Sequence, residues 1–226
     1  DGKYGWCGLS RLAHTSYPSQ WLLSPALTLE HYIGVPVDAE EYVEYEPCYS
    51  AKTVEDISTD RCTLHYAPSP CSQIDFSATY QLTAPHYVDI TLRMQTARDD
   101  WPLDHVALFF ATIVDAPIYT GINLFGCDGI GDAHQEDRWI HFNSVGTRQG
   151  QTAHPSAIDN PELPRPRHAP PTYYYSDSSI RFAQPFFYGT IDNMVFALLF
   201  PAEVKEQVRF TVNPLAPAFG GPAWDF

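Results

Sequence analysis

The chain has 226 residues, 44% of them hydrophobic and 14% aromatic. That is enough to bury a sizeable core in one all-β domain. Its 13 basic and 27 acidic residues leave a net charge of −14, which argues against nucleic acid and anionic membranes as partners.

The first strand signal is ALTLEHYI, residues 26–33. Alternation puts Glu30 and Tyr32 on one side and His31 on the other, so adjacent Glu30 and His31 are expected on opposite faces. EYVEYEP, residues 41–47, places Glu44 and Glu46 on one face. The compact E-x-D-x-E strand pattern of some jelly-roll glucanases is absent, and this segment is an imperfect substitute for it. Five cysteines are an odd number, so at least one is free or pairs between chains. Cys62 and Cys71 could close a short loop, and no C-x-x-C spacing marks a zinc or thioredoxin-type site. The start at Asp1 shows no signal peptide, which fits a cytosolic, an already processed or a trimmed chain; the expectation leans to a secreted or periplasmic protein.

Period two is clear in QIDFSATYQL, residues 73–82, where Ile74, Phe76, Ala78, Tyr80 and Leu82 share a face. It recurs in HYVDITLRMQT, residues 86–96, where Val88, Ile90, Leu92 and Met94 oppose Tyr87, Asp89, Thr91, Arg93 and Gln95. Both read as antiparallel strands with one apolar and one polar face. VALFFATIV at 106–114 and MVFALLF at 194–200 are apolar on both faces, which predicts central strands covered on both sides. No run approaches the roughly 20 apolar residues of a membrane span.

GCDGIGDAHQED, residues 126–137, reads as an acidic, glycine-rich loop. Asp128 and Asp132 are its candidate calcium ligands; no cofactor is required by the expected function, with calcium a weak candidate, and the order of an EF-hand is absent. Cys127 lies among acids that would raise its thiol pKa, which disfavours a nucleophile. In DRWIHFNS, residues 137–144, Ile140 and Phe142 point to a core. Trp139, His141 and Asn143 point the other way. A three-histidine metal site from His86, His105 and His141 lacks the close spacing of known motifs. Residues 146–172 hold six prolines and read as one long loop, a candidate lid.

QPFFY and MVFALLF flank GTIDN at 189–193, which predicts a hairpin. QVRFTV at 207–212 sets Val208, Phe210 and Val212 against Gln207, Arg209 and Thr211, another half-wet strand. The tail FGGPAWDF offers Trp224 and Phe226 as anchors onto the sheet or onto a second copy of the chain.

These elements predict one domain over 1–226, an all-β, two-layer antiparallel β-sandwich of jelly-roll (concanavalin-like) type. The likeness is one of architecture, and fold does not fix function. The polar face would bring together aromatic plates, amides and ionisable groups, the inventory of a carbohydrate groove. The first expectation is therefore a glycoside hydrolase or polysaccharide lyase acting on a poly- or oligosaccharide. Glu30, Asp89, Arg93, His141 and Tyr188 are its catalytic candidates, as paired carboxylates or as base and charge neutraliser. Tyr87, Trp139, Asn143 and Gln184 would bind substrate. The alternatives are a glycan-binding module without catalysis and a structural assembly protein. The competing reading of the face itself is a wet surface stabilised by cross-strand pairs with no ligand.

Overall fold

The computed structural model describes residues 8–19, 21–34, 45–101, 106–114, 121–129, 135–143, 150–155, 177–216 and 221–226. Among them run the strands β1 Gly8–Leu9, β2 Leu12–Ala13, β3 Trp21–Ile33, β4 Lys52–Glu55, β5 Arg61–Tyr66, β6 Ile74–Thr83, β7 Tyr87–Thr96 and β8 Ala107–Val114. They continue as β9 Ile122–Asp128, β10 Arg138–Phe142, β11 Gln151–Pro155, β12 Asp177–Phe182, β13 Phe186–Ile191, β14 Met194–Leu199, β15 Phe210–Ala216 and β16 Gly221–Asp225. The protein is all-β with two sheets. The chain divides into two compact units, Thr28–Phe110 with Asp1–Leu9, and Ser10–Leu27 with Ala111–Phe226.

In the first unit, β4, β5, β6 and β7 form an antiparallel meander in that order. The alternation of β6 is why it sits centrally. Ile74, Phe76, Ala78 and Tyr80 are all buried, and Phe76 meets Tyr66 at 5.4 Å and Phe110 at 6.1 Å between ring centroids. The expected apolar row of β7 is present but only half-covered, because β7 is the sheet edge: Met94 is 42% exposed. Leu82, expected in the core, is exposed where β6 runs past it. A helical turn, Glu46–Tyr49, precedes β4. Buried Glu46 accepts hydrogen bonds from the Ser69 hydroxyl and, at 3.0 Å, from the Ser72 amide. Charge-assisted bonds of this kind offset the cost of burying a carboxylate.

In the second unit the strand order is β8-β16-β15-β11-β12-β9-β13-β14, with β10 on the other side of β9. Its core is aromatic. Phe182 and Phe187 pack on Phe210 at 4.6 and 5.2 Å, and Trp224 is fully buried against Phe187 and Phe196. Gly189 is required there, since any Cβ at that position would collide with the Trp224 ring. β8 fulfils its expectation, with Phe109 to Val114 buried.

Four expectations need correction. MVFALLF is not a strand covered on both faces: Met194 and Phe196 are buried, whereas Val195 and Leu199 are 64% and 65% exposed. An apolar run records composition, not a covering layer, and β14 is the last strand of its sheet among the described residues. QVRFTV begins in a 3-10 helix, Ala202–Gln207, and the strand starts only at Phe210. Its polar face is not wet either, because Thr211 is buried with its hydroxyl 2.9 Å from that of Thr152, and a satisfied hydroxyl can be buried cheaply. Within the 146–172 stretch, Gln151–Pro155 is strand β11, not loop; residues 144–149 and 156–176 lie outside the described residues. Lastly, β11 and β12 pair in parallel, so the sheet is not wholly antiparallel. Parallel neighbours need a crossover of a dozen or more residues, and the 21 between Pro155 and Asp177 suffice. The hairpin at 189–193 is observed with a tighter turn, Asp192 and Asn193 alone, and Asp192 takes a positive φ of 50°.

Candidate functional site

The alternation expected around Trp139 is observed. Phe142 is buried and Ile140 half-buried, packing on the side of Leu124 and Ile122, while Trp139 and His141 face outward. The register of β10 on β9 sets Trp139 opposite Phe125 and His141 opposite Asn123. On the other side of β9, Tyr188 of β13 lies opposite Asn123. The result is one outward face assembled from β10, β9 and β13.

Trp139 is its centre. Phe125 at 5.6 Å, Phe186 at 5.9 Å and Tyr188 at 5.6 Å meet it in edge-to-face geometry. Such pairs contribute about 0.5–1.5 kcal/mol beyond area burial. Yet Trp139 remains 56% exposed. It is therefore an oriented plate rather than a core residue.

Beside it lies a hydrogen-bonded polar group of Asn123 and His141. Asn123 Nδ2 donates to the Tyr188 carbonyl at 3.4 Å. A carbonyl only accepts, so this contact fixes the amide's orientation. Asn123 Oδ1, also an acceptor only, sits 3.2 Å from His141 Nδ1. With His141 Nδ1 as the donor of that bond, the Nε2 edge of the ring points away from Asn123. Gly121 leaves room for that edge of the imidazole: a Cβ there would fall 2.9 Å from Nε2.

Of the expected binding residues, Asn143 follows the end of β10 and is half-buried. Gln184 is exposed in the bend between β12 and β13, where its carbonyl accepts from the Phe186 amide at 2.9 Å. Sequence reasoning missed Asn123, Phe125 and Phe186. The signal existed in INLFGCD, residues 122–128, where Ile122 and Leu124 alternate with Asn123 and Phe125. Reading 126–137 as a loop hid it, since Gly126–Asp128 are the end of β9.

The remaining candidates belong to the other compact unit. Tyr87, Asp89 and Arg93 share the polar face of β7. Asp89 Oδ2 accepts from Thr83 Oγ1 at 2.6 Å, and Arg93 stands opposite Ser77 with no ion pair among the described residues. Glu30 and His31 do meet, contrary to expectation, with Oε2 and Nε2 3.4 Å apart. His31 is buried between Tyr45 at 4.5 Å and Phe109 at 5.5 Å.

Asp128 is half-buried on β9, with Oδ1 enclosed and without a hydrogen-bond partner among the described residues; Asp132 and His105 lie outside the described residues. Among the described residues no three His, Cys, Asp or Glu side chains gather as metal ligands. The Cys127 thiol pKa is raised, first by burial and then by Asp137, in the direction expected. Cys62 is a thiol with no disulfide to Cys71. Among the described residues, no helix is long and apolar enough to cross a membrane. Trp224 and Phe226 pack within their own unit, the latter 5.1 Å from Phe200, because the tail forms β16 along β15. No family model, curated protein or solved structure matches this chain.

Proposed function

We propose that the outward face of β10, β9 and β13 binds carbohydrate, in a jelly-roll protein that works outside the cytoplasm. One observation carries the reading: an exposed Trp139 held by three edge-on rings beside the His141–Asn123 hydrogen-bonded pair. A ring fixed in this way offers its surface to the apolar face of a pyranose at little cost in side-chain entropy. His141 and the Tyr188 hydroxyl supply polar contacts for sugar hydroxyls. The net charge of −14 favours a neutral glycan over a polyanion.

The test is affinity electrophoresis or a sugar column against a broad panel of polysaccharides. Wild type is retained on at least one, and Trp139→Ala loses tenfold or more of that affinity, as removal of one stacking plate predicts. If wild type is retained on none, or if Trp139→Ala is retained equally, the reading fails.

A catalytic version is favoured by one feature, the Nε2 edge of His141, which points away from Asn123. It makes His141 a general base, with Tyr188 beside it, for lyase or hydrolase chemistry on the bound chain. Glu30, Asp89 and Arg93 belong to the other unit and play no part in this version. Product release from a retained glycan by wild type and not by His141→Ala supports this version. Retention without products leaves a binding module.

A further inference from the structure

Among the described residues β14 is an edge strand, and its sequence lacks the usual safeguards. Exposed edges are normally blunted by charge, proline or a bulge, because their free N–H and C=O groups recruit other strands. The edge β4 carries Lys52 and Glu55, β7 carries Asp89 and Arg93, and β10 carries Arg138. β14, with the sequence MVFALL, carries none of these. Its register on β13 runs unbroken through six pairs, from Ile191–Met194 to Phe186–Leu199. Val195, Ala197 and Leu199 project outward and are exposed.

The backbone phase follows from the turn. A two-residue loop closes on a hydrogen-bonded pair, here Ile191 and Met194. Met194, Phe196 and Leu198 therefore point their backbone groups at β13. Val195, Ala197 and Leu199 point theirs to the free edge.

We propose that this edge pairs with β14 of a second copy of the chain, antiparallel about a two-fold axis at Ala197. Three features select a second copy. The first is register: with Ala197 opposite its own counterpart, Val195 meets Leu199 and Leu199 meets Val195, all in hydrogen-bonded positions and on one face. A strand that matches itself in this way satisfies an isologous interface with one sequence. The second is charge. Two molecules of net charge −14 repel each other over most of their surface, and a charge-free strand is where they can meet without opposing like charges. The third is apolar area: Val195 and Leu199, each nearly two-thirds exposed, cover each other across the axis. The pairing continues the sheet, so both Trp139 rings lie on the same side, seven strand spacings or about 33 Å apart. It stands independently of the sugar reading.

The experiment is light scattering with size exclusion, on the full chain over a wide concentration range. Wild type runs at twice the 25.4 kDa chain mass. Ala197→Lys and Ala197→Asp each place like charges face to face at the axis and run at the single-chain mass. An equimolar mixture of the two variants restores the doubled mass, which a misfolded variant could not do. The proposal is overturned if wild type stays at the single-chain mass throughout, if either variant alone keeps the doubled mass, or if the mixture fails to re-pair. Protection of the Ala197 amide from hydrogen exchange in a single-chain species also overturns it, since the edge is then covered from within the chain.

Discussion

At Gly189 and Tyr32 single atoms decide stability. The Trp224 ring occupies the space that a Cβ on Gly189 would take, and Trp224 is itself fully buried. Gly189→Ala should therefore cost about 3 kcal/mol, the upper range for overpacking, read as a lowered denaturant midpoint with an unchanged slope. Gly189→Ala combined with Trp224→Phe should cost less than the sum of the two single changes. Tyr32 is buried with no hydrogen-bond partner for its hydroxyl among the described residues. Burial, then the charges of Glu46 and Asp75, hold its phenol pKa above the ordinary value. Tyr32→Phe removes an unsatisfied group and should stabilise by about 1 kcal/mol at neutral pH. Because the folded value is the higher one, the proton's contribution is whole below about pH 10 and is lost as pH rises beyond it. The advantage of the Phe variant should thus widen in alkaline unfolding; a constant gap from pH 8 to 11 would contradict the assignment.

Individual strands behave according to their place in a sheet. Phe76 and Met94 are cross-strand partners on one apolar row, yet Phe76 is wholly buried and Met94 is 42% exposed. Phe76→Ala should cost about 3–5 kcal/mol and Met94→Ala under about 1 kcal/mol, by urea denaturation. Alternation in both strands was legible from residues 73–96, since period two is a local property of the backbone. What alternation omits is whether a strand has neighbours on both sides. For that reason β7 and β14 look as well buried as β6 and β8 in sequence, and are not. β11 was illegible for a different reason. QTAHP carries no apolar alternation, and its Thr152 and His154 are buried, Thr152 by a hydroxyl partner 59 positions away.

For the whole molecule, charge is the global term. With −14 spread over 226 residues, self-repulsion opposes the compact state and salt relieves it. Raising ionic strength to about 0.15 M, where the screening length is about 8 Å, should raise the thermal midpoint by a few degrees at pH 7. A midpoint that falls with salt would mean that attractive pairs such as Arg98–Asp100, 2.6 Å apart, outweigh the net field.

The sequence by itself determined that the chain is all-β, that Ile74, Phe76, Ala78 and Tyr80 of β6 and Phe142 of β10 turn inward, that 106–114 is covered, that a hairpin joins β13 to β14, and that Trp139 and His141 face outward. These follow from side-chain alternation and turn chemistry, which act over a few residues. Only the tertiary structure decided that Phe125, Phe186 and Tyr188 surround Trp139, that Asn123 meets His141, that β11 and β12 run in parallel, and that β14 is the last strand of its sheet among the described residues. Those facts depend on which strand lies beside which, and a hydrogen-bonding edge carries no mark in the sequence of the neighbour it will take.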